Sequence, residues 1–196
     1  QFGISVCVSG NYAIIGAYSD DIGINENQGS ANIYKYTGNR WVLMQKLTDA
    51  TGSAGDNFGT SVSISGNYAI VGAPRDDAAA NVDQGSVSIY QYDGSSWVLM
   101  QKITDAAGDA TDNFGNSVSI SGNYAIAGAY LDDVGTNSFQ GSASIYEYKN
   151  NRWGLIQKIT EATGLANDNF GNSVSICGDY AIVGAYPGTI PTANRG

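Results

Sequence analysis

An internal repeat of 56 residues constrains the fold of this chain more than any other feature. The pair Phe-Gly occurs four times at that spacing, and Asp-Asp, Gln-Gly-Ser and Gln-Lys recur in phase with it. A long and regular period indicates one structural unit that packs against copies of itself. We therefore divide the chain into three whole repeats and one partial repeat, at 2–57, 58–113, 114–169 and 170–186.

The charge balance narrows the classes of partner. The 196 residues include 18 Asp and Glu against 9 Lys and Arg, a net charge of −9. A surface that binds phosphate is basic, so we expect neither nucleic acid nor an anionic membrane as a partner. No apolar run approaches the ~18 residues of a membrane span, which predicts no membrane insertion. Many Gly, Ser, Asn, Asp and Tyr residues are typical of strands and turns.

Each repeat carries four strand patterns. In the second repeat they are short runs of alternating or continuous apolar residues, at 61–65, 68–73, 86–92 and 97–103. Gly66-Asn67 and the segment 93–96 predict tight hairpin turns within the first and last strand pairs. Four antiparallel strands per repeat predict an all-β fold, a β-propeller of about three and a half blades. A β-solenoid is the alternative, although its coils are usually shorter and lack hairpins.

Several recurring residues have positions that favour contacts between blades. Gly59 and Gly72 lie at strand ends, where the absence of a side chain lets two backbones approach closely. Trp97 and its copies are large enough to cover the contact between neighbouring blades. Tyr90 and Tyr92 point the same way from one strand, and their recurrence favours packing over an exposed aromatic pair.

The motifs that bracket the first strand pair have a counterpart in a known family. Phe58-Gly59 and Gly72-Ala73-Pro74 resemble the FG-GAP repeat of integrin α-subunits and of many secreted bacterial proteins. The resemblance covers nearly the whole chain. It implies a propeller, commonly seven-bladed, that acts outside the cell or at its surface in adhesion or ligand binding. Integrin-type repeats often carry an Asp-rich calcium loop, but segment 60–71 has no acidic residue, so that site is not carried over.

A second, more acidic loop offers a different cation site. Carboxylate and amide oxygens are the ligands that Ca²⁺ prefers, and Ca²⁺ is the one cofactor that the sequence suggests. The alternative is that these side chains form Asx-turns and satisfy backbone N–H groups of the loop. The candidate metal ligands are Asp20, Asp21, Asn25, Asp76, Asp77, Asn81, Asp132, Asp133 and Asn137, accompanied by Gln28, Gln84 and Gln140.

Another recurring acid precedes each Asn-Phe-Gly, at Asp56, Asp112 and Asp168. We expect these side chains to accept backbone N–H bonds that shape the turn between blades. The alternative is a ring of carboxylates around the mouth of a propeller.

Two positions that break the repeat are candidates for specific binding. Pro74-Arg75 replaces Tyr18-Ser19 and Tyr130-Leu131, and Phe139 replaces Asn27 and Asp83. They lie in or beside the long loop after the second strand, a region where propellers often bind partners. Sequence drift in an exposed loop is the alternative explanation. The candidate ligand or partner residues are Tyr18, Arg75, Tyr130 and Phe139.

The two cysteines replace serines at positions that are not equivalent in the repeat. We expect Cys7 and Cys177 to be free, small and buried. A disulfide between them is the alternative, and it requires the first and fourth units to meet.

Three functional hypotheses follow. Without His, the chain has no Ser-His-Asp triad and no imidazole metal site. The leading hypothesis is a non-catalytic, extracellular adhesion or protein-interaction scaffold. The first alternative is a carbohydrate-binding propeller that uses Tyr and Trp faces at one weak site per blade. The second is a hydrolase whose catalytic groups lie outside this segment.

The last repeat contains only its first two strand patterns, followed by an irregular segment from Pro187 to Gly196. Unpaired strand edges favour association. We therefore expect the segment to belong to a larger ring or to pair with another chain, and a stable monomer would contradict this expectation.

Overall fold

The fold is described from a computed structural model, which covers residues 1–78 and 80–186. The predicted irregular segment Pro187 to Gly196 lies outside these residues. The described residues form fourteen β-strands and no helix: β1 Val6–Ser9, β2 Tyr12–Ala17, β3 Ser30–Tyr36, β4 Trp41–Leu47, β5 Ser61–Ser65, β6 Tyr68–Ala73, β7 Ser86–Tyr92, β8 Trp97–Ile103, β9 Ser117–Ser121, β10 Tyr124–Ala129, β11 Ser142–Lys149, β12 Arg152–Ile159, β13 Ser173–Cys177 and β14 Tyr180–Gly184. Accordingly, no helix in this part of the chain is long and apolar enough to cross a membrane.

The strands form successive antiparallel sheets in which each strand pairs with its neighbour in the chain. Strands β1–β4, β5–β8 and β9–β12 form three four-stranded sheets, and β13–β14 form a two-stranded sheet. The four strands predicted for the second repeat are confirmed residue for residue as β5–β8. The all-β prediction of three and a half blades is thereby confirmed, while no closed ring occurs among the described residues. We call the sheets blades 1 to 3 and half-blade 4.

The two hairpin turns predicted within each blade have clear local causes. Gly66 has a φ of 56°, which a two-residue turn between right-twisted strands requires. In the other turn, Oδ1 of Asp93 accepts the N–H groups of Ser95 and Ser96, each at 2.8 Å. These hydrogen bonds to the ionised form lower the pKa of Asp93 to about 2.

The Phe-Gly and Gly-Ala motifs meet where one blade contacts the next. The N–H of Phe58 donates to the carbonyl of Gln28 in blade 1 at 2.8 Å, and the Phe58 side chain is fully buried. Gly59 has a φ of 90°, which disfavours any residue with a side chain. A Cβ atom on Gly72 would clash with the carbonyl oxygen of Gly115 in blade 3. The predicted close approach of backbones at Gly59 and Gly72 is confirmed.

Aromatic side chains also pack between neighbouring blades. The Trp97 ring packs edge-on against Tyr12 of blade 1, with ring centroids 5.5 Å apart, and Trp153 repeats this contact with Tyr68. Tyr90 is buried, and Tyr92 packs against Tyr12 at 5.6 Å. The predicted packing roles of the tryptophan and of the tyrosine pair are therefore confirmed.

The cysteines are free, as expected, but only one of them is partly covered. Cys7 is half-buried against blade 2, with its Sγ 3.9 Å from Oγ of Ser63. Cys177 is exposed. The prediction that it is buried is wrong, because no described residue covers the outer face of half-blade 4.

Candidate functional site

The long loop after the second strand lies against the linker that leads into the next blade. The N–H of Gly55 donates to the carbonyl of Glu26 at 2.9 Å, and the N–H of Asn57 donates to that of Asn27 at 3.2 Å. Both asparagines have positive φ angles, 53° and 58°, which Asn tolerates better than most residues. The two regions that hold the candidate site residues are thus one connected structure.

The amide side chains of the candidate cation loop bind this linker. Nδ2 of Asn25 donates to Oε1 of Gln28 at 3.0 Å and to the carbonyl of Gly52 at 3.1 Å. Nε2 of Gln28 donates to the carbonyl of Asp49 at 2.6 Å. The N–H groups of both amides are therefore used to connect loop and linker. Equivalent contacts recur in the later copies, at Asn81, Gln84, Asn137 and Gln140.

The second Asp of each Asp-Asp pair closes its own loop. Oδ1 of Asp21 accepts the N–H of Asn27 at 2.8 Å. The later copies behave in the same way, with Asp77 accepting from Asp83 at 2.9 Å and Asp133 accepting from Phe139 at 2.8 Å. These are the loop-stabilising bonds of the Asx-turn alternative.

The first Asp of each pair forms an ion pair with the lysine of the Gln-Lys motif. The Nζ–Oδ2 distance is 2.7 Å for Lys46 and Asp20, 2.6 Å for Lys102 and Asp76, and 2.7 Å for Lys158 and Asp132. In blades 2 and 3 the same lysine also reaches an Asp of the preceding blade. These second contacts are Lys102–Asp49 at 2.7 Å and Lys158–Asp105 at 2.9 Å.

The surroundings of Lys102 and Asp49 favour the charged form of both side chains. Burial opposes ionisation of Asp49, but hydrogen bonds from Lys102 and from the N–H of Thr51 outweigh it, so the pKa of Asp49 is lowered. Burial likewise opposes the charge on Lys102, but hydrogen bonds to Asp49 and Asp76 hold its pKa above the usual value. Lys102 is therefore a cation at neutral pH and ties two blades together.

The candidate calcium ligands do not converge on one point. No group of three or more His, Cys, Asp or Glu side chains within residues 1–78 and 80–186 is placed to hold a metal ion. The carboxylate of Asp20 faces Lys46 and accepts a hydrogen bond from Ser30 at 2.6 Å. The observed contacts support the loop-stabilising alternative, and calcium binding stays a prediction.

The Asp before each Asn-Phe-Gly caps the linker turn. Oδ2 of Asp56 accepts the N–H of Ser53 at 2.6 Å, and Asp112 and Asp168 accept equivalent bonds at 2.7 and 2.6 Å. The expected structural role is confirmed. Asp56 is only 3% exposed, and burial, followed by the charge of Asp76, raises its pKa to about 6. The pKa of Asp112 is also raised to about 6, first by burial and then by Asp132.

Three of the four candidate partner residues lie in one groove. Tyr18, Arg75 and Tyr130 occupy similar positions just beyond β2, β6 and β10, so the groove crosses blades 1 to 3. Its volume is about 160 Å³. The remaining lining residues are polar or small: Asn57, Thr60, Pro74, Asn113 and Asn116. The fourth candidate, Phe139, is not part of the groove and lies on the loop of blade 3, 39% exposed.

The groove has a rigid base and one charged side chain. The N–H of Arg75 donates to the carbonyl of Asp56 at 3.3 Å, and Nδ2 of Asn113 donates to the carbonyl of Asp83 at 3.1 Å. Arg75 is exposed, and within the described residues its guanidinium forms no ion pair. Arg75 is the one charged residue among those that line the groove, on a chain of net charge −9.

Comparison with known families agrees with this architecture. The family model of the FG-GAP repeat matches residues 1–34, 41–90, 97–146 and 153–196. The chain belongs to the FG-GAP repeat family. A search of curated proteins finds no significant match.

The FG-GAP match begins on the fourth strand of a blade. From the second match onward, each stretch starts at a recurring tryptophan, Trp41, Trp97 or Trp153. The second and third matches therefore contain the last strand of one blade, the linker and most or all of the first three strands of the next, and the fourth match contains β12, the linker and the two strands of half-blade 4. The repeat of the family model thus spans the interface between blades, which is where the recurring residues make their contacts.

The most informative contacts of this FG-GAP interface were not predicted from the sequence. Gln45 of blade 1 holds the backbone of Trp97, since its Nε2 donates to the carbonyl at 2.9 Å and its Oε1 accepts the N–H at 2.8 Å. Lys102 reaches back to blade 1. The strict recurrence of Gln-Lys is the signal that indicates both roles, because one residue points to the next blade and the other to the preceding blade.

The repeat architecture and the groove around Arg75 are consistent with a protein that binds a partner. FG-GAP repeats indicate a β-propeller fold for protein interaction, in a family that is generally non-catalytic. In this chain, most recurring polar side chains are used between loop, linker and neighbouring blade. The groove around Arg75 differs, because Arg75 occurs in one copy only and its guanidinium pairs with no acid among the described residues.

Proposed function

We propose that this FG-GAP segment is a non-catalytic, extracellular adhesion or protein-interaction scaffold that binds a carboxylate-bearing loop of a partner protein. The observation that carries the proposal is the convergence of Tyr18, Arg75 and Tyr130 in one groove. The extracellular location rests on the resemblance to the repeats of integrins and secreted proteins.

The chemistry of the groove favours an acidic side chain. A guanidinium pairs with a carboxylate through two parallel hydrogen bonds, and the charge makes these bonds stronger than neutral ones. Tyrosine and arginine are also the residue types that most often contribute binding energy at protein interfaces. A volume of about 160 Å³ is small beside the several hundred Å³ of a typical small-molecule pocket, and we infer that it accepts one side chain.

The carbohydrate alternative receives less support from the packing. A lectin with one site per blade would need an exposed aromatic face in each blade. Trp97 and Trp153 are only 2% and 1% exposed, so two of the three tryptophans are committed to packing. The groove itself is lined by Arg75, in whose place blades 1 and 3 have Ser19 and Leu131.

A binding assay with paired peptides tests the proposal. The probe is a library of short peptides that contain Asp or Glu, screened beside versions in which Asn or Gln replaces the acid. We expect selective binding of the acidic peptides, and we expect Arg75→Ala to weaken it by about tenfold or more. Arg40→Ala is the control, since Arg40 lies exposed in the hairpin between β3 and β4. Equal binding of acidic and amide peptides contradicts the proposal, and selective binding on a glycan array would favour the lectin.

A further inference from the structure

Two exposed apolar side chains of blade 3 stand where the other blades have polar ones. Phe139 lies in the long loop after β10, and Leu165 lies in the linker after β12. They are 39% and 51% exposed. We call these two side chains the blade 3 patch. The equivalent residues of blades 1 and 2 are Asn27 and Asp83 for Phe139, and Ser53 and Asp109 for Leu165.

The exposure of these positions is a property of the repeat and does not depend on which blade comes last. Asn27 is exposed although blade 2 follows it, and Asp109 is exposed although blade 3 follows it. A following blade therefore packs beside these positions without covering them. What distinguishes blade 3 is that both positions carry a large apolar side chain.

The backbone at Phe139 has a conformation that suits the residues of the other blades better. Its φ is 56°, and Asn27 and Asp83 both have a φ of 53°. Asn and Asp tolerate this left-handed region, whereas an aromatic residue there is an outlier that costs stability. Strained residues of this kind concentrate at sites of ligand contact. The local conformation does not account for a phenylalanine at this position, and a binding role does.

Carboxylates fix the backbone of both patch residues. Oδ1 of Asp133 accepts the N–H of Phe139 at 2.8 Å, and Oδ2 of Asp168 accepts the N–H of Leu165 at 2.6 Å. Loop and linker are also joined directly, since the N–H of Asn169 donates to the carbonyl of Phe139 at 3.0 Å. A surface that is ordered in advance loses less entropy on binding. The two acids beside the patch repel anionic lipid, which favours a protein over a membrane as the occupant.

The blade 3 patch lies within reach of the groove around Arg75. Tyr130 lines that groove and begins the loop that carries Phe139. The ends of the loop are paired, because the N–H of Gly141 donates to the carbonyl of Asp132 at 2.9 Å. A short loop with paired ends extends at most roughly 15 Å from its base. A protein interface of standard size is about 30 Å across, so one partner reaches both the groove and the patch.

We propose that the protein partner whose carboxylate enters the Arg75 groove also packs an aliphatic or aromatic side chain on Phe139 and Leu165. The identity of this partner rests on the proposed function, and the apolar contact is new. Such a side chain would meet a carboxylate at Asp83 or Asp109 in blade 2, so the contact is specific to blade 3. The groove then sets the orientation of the partner, and the patch adds affinity through buried apolar area.

Two series of peptides test the inference. In the first series, each peptide contains one Asp and, at a varied distance, one Leu or Phe. The second series has Ser in place of that apolar residue, and both series are repeated with Asn in place of Asp. We expect the unchanged chain to bind the apolar series about tenfold more tightly than the Ser series, because burying one such side chain is worth that much.

Substitutions taken from the other repeats locate the contact. Phe139→Asn and Leu165→Ser introduce the residues of blade 1, so both variants should fold, and circular-dichroism melts check this. Each should remove most of the preference for apolar peptides and leave the preference for Asp over Asn. Val82→Ser is the matched control and should change neither preference, since Val82 is a 57% exposed residue of blade 2 where blade 3 has Ser138. Arg75→Ala should remove the preference for Asp and leave the preference for apolar peptides.

The two preferences separate failure of this inference from failure of the proposed function. The inference is overturned if the unchanged chain shows no preference for apolar peptides, or if Phe139→Asn and Leu165→Ser leave that preference unchanged. A chain that binds Asp and Asn peptides equally but loses its apolar preference in Phe139→Asn contradicts the role of the Arg75 groove and supports the patch.

Discussion

Blades 1 and 2 have nearly the same sequence but different surroundings, and their comparison separates what a repeat encodes from what its neighbours add. Trp41 is 45% exposed, whereas Trp97 is 2% exposed at the same repeat position. Both belong to the fourth strand of a regular four-stranded sheet. The strand therefore forms from local sequence, while its burial depends on the preceding blade.

The ion pairs differ in the same way. Lys46 contacts one carboxylate, that of Asp20, with side chains that are 44% and 33% exposed. Lys102 bridges two carboxylates, and each of them is only 7% exposed. Lys46 thus forms an ion pair at the surface, whereas Lys102 connects two blades through carboxylates that are buried.

The largest effect is expected from the tryptophans. Trp97→Ala should lower the free energy of unfolding by about 3–5 kcal/mol, because a large buried ring is lost and leaves a cavity. Trp41→Ala should cost about 1 kcal/mol or less, because its ring is partly exposed. Urea unfolding followed by circular dichroism measures both without relying on tryptophan fluorescence. Equal losses would show that the packing against Tyr12 does not stabilise blade 2.

A smaller difference is expected from the lysines. Lys102→Met leaves two buried carboxylates without their cation and should cost about 2–3 kcal/mol, less than for a fully buried pair because Lys102 is 26% exposed. Lys46→Met removes a surface pair and should cost about 1 kcal/mol or less. The same unfolding experiment compares them. A Lys46 variant as unstable as the Lys102 variant would contradict the role assigned to the bridge.

The smallest effect is a pH dependence at Asp56. Its pKa is about 6 in the folded chain against 3.8 without the fold, so the folded state binds the proton more tightly. This contribution to stability is complete below the lower value and is lost as the pH rises through the higher one. Asp56→Asn keeps an acceptor for the N–H of Ser53 but removes the charge.

Relative to the unchanged chain, Asp56→Asn should therefore gain about 1–2 kcal/mol between about pH 4 and about pH 8. Asp168→Asn is the matched variant in half-blade 4, where the carboxylate is only half-buried. We expect a smaller gain there. Unfolding at a series of pH values measures both, and a gain at Asp56 that is absent or reversed would show that its burial does not control the titration.

The strands were predictable because their signals are local. Alternation in 61–65, the apolar run 68–73 and the turn at Gly66-Asn67 each depend on neighbouring residues, and β5 and β6 have those bounds. The site was only partly predictable. Arg75 and Phe139 were both chosen because they depart from the repeat, but Arg75 lines the groove and Phe139 lies outside it. A residue that departs from the repeat does not show which other side chains the packing of the blades will place beside it.

The Asp-Asp loop shows why composition alone was ambiguous. Carboxylates and amides in a loop suit both a cation and a network of hydrogen bonds. The structure distinguishes the two, because it places Lys102 between Asp76 and Asp49, which lies 53 residues from Lys102 in the sequence. Contacts between blades join residues that are nearly one period apart, so they follow from the packing of whole repeats.

By itself, the sequence determined the repeat, the four strands of each blade and the glycines that let backbones approach, because these depend on side-chain pattern and φ preference. Tertiary structure decided which tryptophan is buried, which lysine bridges two blades and where Arg75 meets Tyr18 and Tyr130. The physical reason is that burial and ionic pairing depend on the neighbour that covers a residue, and equivalent residues of similar repeats have different neighbours.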